Sequence, residues 1–189
     1  MSYKEEITQD IAEIMTDLEV QPILFVGSGI SQRYFDTPTW QGLMKILVKT
    51  CPELNKRKFA FYEQQYRRAN LTDYTLMASS FVETYSDWAW ETMDEDNSIF
   101  PPELFEDNSQ KQGYIKHIVS KYFENVTNSI DLEASEHKKE IESLKKINPH
   151  AIITTNYDGA LEIIFDEYQK IVGQQVIRAN YSQAYLKVL

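Results

Sequence analysis

Ile7, Ile11, Ile14, Met15 and Leu18 recur on one face at helical spacing, which predicts an amphipathic first helix. Pro22 ends that pattern. Ile23-Leu24-Phe25-Val26 is a short apolar run with no polar alternation, the pattern of a strand buried on both faces of a parallel sheet. It runs directly into Gly27-Ser28-Gly29-Ile30-Ser31, after which Gln32 to Pro38 reads as a loop. Trp40, Leu43, Met44, Leu47 and Val48 form a second helical stripe, with Thr37 or Thr39 as its N-cap. The polar and aromatic stretch from about Asn55 to Tyr85 predicts further helix. Residues 86–109 are acidic and contain Pro101-Pro102, so an irregular excursion is expected there. Ile115, Ile118, Val119, Tyr122, Phe123 and Val126 share one side of another helix, and a further one spans about Glu136–Ile147. Asn148-Pro149 stops it.

Ala151-Ile152-Ile153-Thr154-Thr155 is a second short strand, followed by Asn156-Tyr157-Asp158 and a helix carrying Leu161, Ile164, Phe165 and Tyr168. Val172–Ile177 and Tyr185–Leu189 read as a third and a fourth strand. Two strand–loop–helix units therefore flank a long, mostly helical insertion at about residues 55–146. The fold class expected is α/β, a parallel sheet covered by helices on both faces. Ligands of such sheets sit at the carboxyl ends of the strands. Both polar loops, 27–31 and 154–158, hold that position, and they become neighbours if their strands pair. No internal repeat or low-complexity linker divides the chain, so residues 1–189 read as one domain.

Composition narrows the function. With 189 residues and 42% hydrophobic positions the chain can build a real core. Its formal net charge of -10 argues against nucleic acid as the main partner. It does not argue against one dinucleotide, because backbone N–H groups can hold a pyrophosphate inside an acidic surface. The single cysteine, Cys51, excludes an internal disulfide and a cysteine-only zinc site. No apolar run approaches the roughly 18 residues of a membrane helix, and the acidic N-terminus does not read as a signal peptide. A cytoplasmic protein is the expectation, and no metal site is expected.

The two polar loops carry the candidate chemistry. Glycines at 27 and 29 let backbone approach a phosphate, the start of a helix favours an anion, and Ser28 and Ser31 add hydroxyls. The same pattern also suits an ordinary strand-to-helix turn. It is not the GxGxxG fingerprint, since Gln32 stands at the third glycine position. In the second loop Asn156 can orient a water or a ribose hydroxyl, and Asp158 can accept a hydrogen bond. Either residue also suits the N-cap of the next helix.

Taken together, GSGIS and TTNYD, each after an apolar strand and in this order, resemble the sirtuin family, whose deacetylase members show GAGIS and TQNID at these places. With Pro38-Thr39-Trp40 after the glycine loop, the chain looks more like the sirtuin-like domains of bacterial anti-phage systems. The likeness covers about residues 21–48 and 137–168. It implies a Rossmann-like sheet with a helical insertion, and NAD as substrate with its phosphates over Gly27, Ser28, Gly29, Ile30 and Ser31. It further implies that Asn156 is essential for catalysis, that Asp158 and Thr155 line the cofactor site, Asp158 near the nicotinamide end, and that Asp36 faces the ribose.

The chain also departs from that pattern. Arg33 and Phe35 stand in the reverse order of the Phe-Arg pair of deacetylases, so those roles do not transfer. The family's His-Gly pair would lie beyond Tyr185–Leu189, and His117, His137 and His150 all precede Asn156. The sheet is therefore expected to be C-terminally incomplete, with residues 1–189 the N-terminal part of a sirtuin-like domain that is inactive by itself. What the resemblance implies for the whole domain is hydrolysis of NAD to nicotinamide and ADP-ribose in anti-phage defence. A homo-oligomer is expected, gated by a phage protein or by a partner such as an Argonaute-like protein or an ATPase. An NAD-dependent protein deacylase and a non-catalytic nucleotide sensor are the alternatives. Trp88 and Trp90 with Tyr85 read as core, and His137 and His150 as local packing or caps.

Overall fold

The computed structural model describes residues 2–18, 21–95, 98–106, 109–133, 135–172 and 184–187. In chain order its elements are α1 (Tyr3–Leu18), β1 (Ile23–Val26), α2 (Ser28–Phe35), α3 (Trp40–Thr50), α4 (Pro52–Asn55), α5 (Phe59–Gln65), β2 (Arg67–Arg68), β3 (Leu71–Thr72), α6 (Tyr74–Glu91), α7 (Gln112–Asn128), α8 (Lys138–Lys146), β4 (Ala151–Thr154), α9 (Ala160–Ile164), β5 (Gln169–Val172) and β6 (Ala184–Lys187). The molecule is mixed α/β. No described helix is long and apolar enough to cross a membrane.

The chain divides into two compact units. One comprises residues 1–37 and 126–189, the other Pro38–Asn125. The second unit thus begins and ends earlier in the chain than the helical insertion expected at about residues 55–146.

The first unit is built on four parallel strands in the order β1-β4-β6-β5. Ile23 pairs with Ala151, Leu24 with Ile152, Phe25 with Ile153 and Val26 with Thr154, so β1 and β4 end level with each other. Side chains alternate between faces along each strand. Leu24, Val26 and Ile152 enter a core with Ile141, Leu161, Ile164, Phe165 and Tyr168. The other face of β1 is open: Ile23 is 60% and Phe25 75% exposed. Burial of β1 on both faces, as its unbroken apolar run predicts, is therefore not observed. The helical side chains of this core all lie on the Leu24–Val26 side, and no matching layer covers Phe25 among the described residues. The stripe of α1 forms the predicted helix but stays uncovered as well, with Ile11 and Ile14 more than half exposed.

The stretch from Gln32 to Phe35, expected as loop, is helical. Ile30 and Tyr34, four residues apart, turn one side of α2 onto the core together with Phe35. Asp36 ends the helix in the left-handed conformation at φ 52°, which aspartate tolerates better than most residues. Asn148 stops the segment after α8 in the same way, at φ 48°. The helix after Asp158 is shorter than its pattern suggests: α9 ends at Ile164, and Tyr168 lies beyond it with its hydroxyl donating to the Pro149 carbonyl. Of the third predicted strand only Val172 is described, as the end of β5; residues 173–183 lie outside the described residues, as do 188 and 189 of the fourth.

The second unit packs α3 against α6. Leu43, Met44, Leu47 and Val48 meet Met77, Phe81, Tyr85 and Ala89, with Tyr62, Phe100, Tyr114 and Ile118 completing the core. Thr39 caps α3 by accepting from the Gly42 N–H at 3.2 Å, which decides between the two candidate caps. The region expected as continuous helix holds α4, α5 and a two-residue antiparallel ladder of β2 and β3, turned at Ala69 with φ 51°. Helix α6 starts at the Asp73 cap and extends into the acidic stretch, where Tyr85 is buried and Trp88 packs edge-on against Phe100. Trp90 instead lies half exposed against Phe105.

Candidate functional site at the ends of β1 and β4

Parallel pairing sets Val26 beside Thr154, and the two loops leave the sheet together. The Thr154 hydroxyl donates to the Val26 carbonyl at 2.7 Å and accepts the Asn156 N–H at 3.0 Å. This buried threonine fixes the path of the chain into Asn156, a role its place inside the second motif could have suggested. The Asn156 side chain then reaches across to the glycine loop. Its Nδ2 donates to the Gly27 carbonyl at 3.2 Å and to Ser31 Oγ at 3.0 Å. Ser31 Oγ donates in turn to Asp158 Oδ1 at 2.9 Å. Asp158 Oδ1 also accepts the Ala160 N–H at 3.1 Å, at the start of α9. Ser31, Asn156 and Asp158 are all buried. Asp158 is not the N-cap of α9, which is Gly159 without a side-chain cap; its Oδ1 instead takes the N–H of the first helical residue while it holds Ser31.

Gly27, Ser28 and Gly29 form the exposed rim of this network. Gly27 stands at φ -102° and ψ -177°, a conformation open to any residue, and it caps α2 without a side chain. A Cβ added at Gly27 or Gly29 would meet nothing within 4 Å. Neither the backbone nor internal packing asks for glycine at these two positions. Both leave clear space before the first turn of α2, where N–H groups lack helical partners and the helix dipole favours an anion. Ser28 Oγ accepts from Gln32 Nε2 at 3.1 Å, one turn along the helix.

The remaining sequence candidates fall elsewhere. Ile30 faces the core, and Thr155 and Tyr157 alternate outward between buried neighbours. Asp36 is exposed at the C-terminal end of α2, away from the glycine rim. Arg33 grips Glu140 of α8 through Nε and Nη2 at 2.9 and 2.8 Å, and Tyr34 donates to the same carboxylate at 3.2 Å. Hydrogen bonding to Arg33 lowers the Glu140 pKa, and the same bond raises that of Arg33. This arginine therefore ties two helices of the unit together.

None of the histidines joins the network. His137 packs edge-on against Tyr34 at 5.4 Å between ring centres, and His150 precedes β4, at the end of the strand opposite Asn156. His117, in the helical unit, contacts the Ile99 carbonyl at 3.1 Å. Among the described residues no group of three His, Cys, Asp or Glu side chains could hold a metal ion. Gly159, which the sequence did not single out, meets Thr127: its N–H donates to Thr127 Oγ1 at 3.1 Å, and this anchors the loop from behind. No family model matches the chain, and no curated protein matches it either.

Proposed function

We propose that this chain binds NAD at the ends of β1 and β4 and serves in hydrolysis of the bond between nicotinamide and ribose. The observation that carries the reading is the Asn156 side chain bonded to Gly27 and Ser31, beside two glycines that the fold itself does not require. In this reading the four parallel strands form part of a Rossmann-like sheet, and the pyrophosphate lies over the N–H groups at the start of α2. Asn156 holds a ribose hydroxyl or the attacking water near the anomeric carbon. Cleavage passes through an oxocarbenium-like state, so the protein's contribution is positioning and control of water. The test is titration of the purified chain with NAD by calorimetry, with nicotinamide release followed by chromatography. Saturable binding that Asn156→Ala and Gly29→Leu both weaken supports the reading; heat-silent titration of a folded chain refutes it.

The expected self-association has its own support in the first unit. The open face of β1 and the stripe of α1 are both apolar and exposed. Helix α1 carries Glu5, Glu6, Asp10, Glu13 and Asp17 against a single Lys4, so two such helices repel one another. The complement assigned to α1 in this reading is the apolar β1 face of a second copy.

A further inference from the structure

The two ends of the Asn156 amide differ in chemistry: Nδ2 only donates and Oδ1 only accepts. Both groups that face Nδ2 are acceptors. Gly27 presents a carbonyl oxygen at 3.2 Å. Ser31 Oγ lies at 3.0 Å, and its one proton is committed to Asp158 Oδ1, so toward Asn156 it can only accept. Asp158 Oδ1 takes a second hydrogen from the Ala160 N–H, which holds that atom as an acceptor. Turning the amide over would set Oδ1 against a carbonyl and a hydroxyl lone pair, two repulsive contacts in a buried place. Among the described residues Oδ1 accepts no hydrogen bond, and it is not one of the buried atoms sealed without a partner. The oxygen is the end of the amide that these hydrogen bonds leave over for a ligand.

We propose that Asp158 is a positioning residue acting through Ser31: it fixes the Asn156 amide so that the site offers an acceptor oxygen, and it makes no ligand contact itself. The group received there is a hydrogen donor, a sugar hydroxyl or a water. A phosphate or carboxylate oxygen at the same point meets a lone pair and is repelled. This rests on the reading of the site as a nucleotide site, and it differs from what the sequence resemblance implies for Asp158, a place near the nicotinamide.

Asparagine at position 158 separates the two roles. Ser31 and the Ala160 N–H both require an oxygen at the Oδ1 position, so an amide must turn its oxygen toward them and the chain of bonds survives without a charge. Asp158→Ala and Ser31→Ala each break it. The experiment compares the three variants by NAD titration and by the side-chain amide signals of Asn156 in the ligand-free protein. In the parent both Nδ2 protons are bonded, so they are expected to exchange slowly. Asp158→Ala and Ser31→Ala are expected to speed that exchange and to weaken NAD binding about tenfold or more, the scale of one lost hydrogen bond in a buried network. Asp158→Asn is expected to rescue both. Equal loss of binding in Asp158→Asn and Asp158→Ala, with the Asn156 signals intact, overturns the proposal in favour of direct ligand contact. If the parent does not bind NAD, the nucleotide reading falls, and the amide signals still decide the positioning role: unchanged exchange in Asp158→Ala and Ser31→Ala overturns it.

Discussion

Ser31 and Asp158 stand 127 residues apart in sequence, and their side chains meet at 2.9 Å in the interior. The contact joins the loop after β1 to the loop after β4, so the whole second unit is inserted between two halves of one network. Closing so long a loop costs little more than closing a shorter one, because the entropic penalty grows only with the logarithm of length. The insertion can therefore be large without loosening the site. The parallel β1–β4 pairing supplies the register, and Thr154 locks its end through the Val26 carbonyl.

Gly29→Leu separates ligand binding from folding. A Cβ there meets nothing, and the position lies in the first turn of α2, where leucine is a better helix former than glycine by roughly 0.5–1 kcal/mol. The variant is expected to be at least as stable as the parent toward urea, yet to lose NAD binding, because its side chain fills the space before the helix start. Undiminished affinity by calorimetry would remove the glycine rim from the binding site.

The site was more legible in the sequence than the layers around it. The two polar loops each followed a short apolar run, and parallel pairing of those runs brings Gly27, Ser31, Asn156 and Asp158 together. The hydrogen-bond directions were not legible, since they depend on which atoms face one another. Phe25 is exposed although its strand is an unbroken apolar run, because such a run states what a second layer should cover, not whether that layer is present. Gln32–Phe35 reads as loop in the sequence, yet Ile30 and Tyr34 keep the helical period that carries α2 through it. The hairpin at Arg67–Thr72 left no signal, as two-residue strands are too short for alternation to register.

Gly159→Ala tests the anchor behind the second loop. Gly159 has φ -94° and ψ 16°, in the bridge region that alanine can enter without a positive φ, so the main cost comes from contact. The added Cβ would lie 2.8 Å from Thr127 Cγ2 and 3.2 Å from its Oγ1. Threonine is stiff at χ1, and turning it away breaks the bond from the Gly159 N–H. A loss of about 1–3 kcal/mol in urea unfolding is expected. Thr127→Ser removes the methyl and keeps the hydroxyl, so Gly159→Ala should cost distinctly less in that background. An equal cost in both would show that the methyl contact is not the cause.

Alkaline stability should depend on Tyr85. Its ring is buried and its hydroxyl donates to the Leu47 carbonyl at 2.8 Å. Burial raises its pKa well above the ordinary value of 10.0. The folded state thus keeps a proton that the unfolded chain releases, and the stabilisation is full below about pH 10 and lost as pH rises beyond it. Burial raises Tyr62, Tyr114 and Tyr168 in the same direction. Tyr85→Phe should cost about 1 kcal/mol at neutral pH for the lost hydrogen bond, and should flatten the fall of unfolding free energy between about pH 10 and pH 12. Parallel curves for parent and variant across that range would show that Tyr85 does not carry the linkage.

Self-association through α1 and β1 makes a paired prediction. Phe25 is the more exposed of the two β1 side chains on the open face of that strand, at 75% against 60% for Ile23, and Ile11 lies at the middle of the α1 stripe. If α1 of one copy covers β1 of another, a charge at either position must disrupt the same contact. Burying an unpaired carboxylate costs several kcal/mol, enough to shift a micromolar dimer to monomer. Ile11→Asp and Phe25→Asp are therefore each expected to give a monomer by light scattering under conditions where the parent associates. Both positions are exposed in the single chain, so neither change should lower the stability of the monomer by more than about 0.5 kcal/mol. The double variant should be no more monomeric than either single one, because the two residues serve one interface. A parent that is monomeric at high concentration, or a parent oligomer that only one of the two changes dissolves, would break the pairing of α1 with β1.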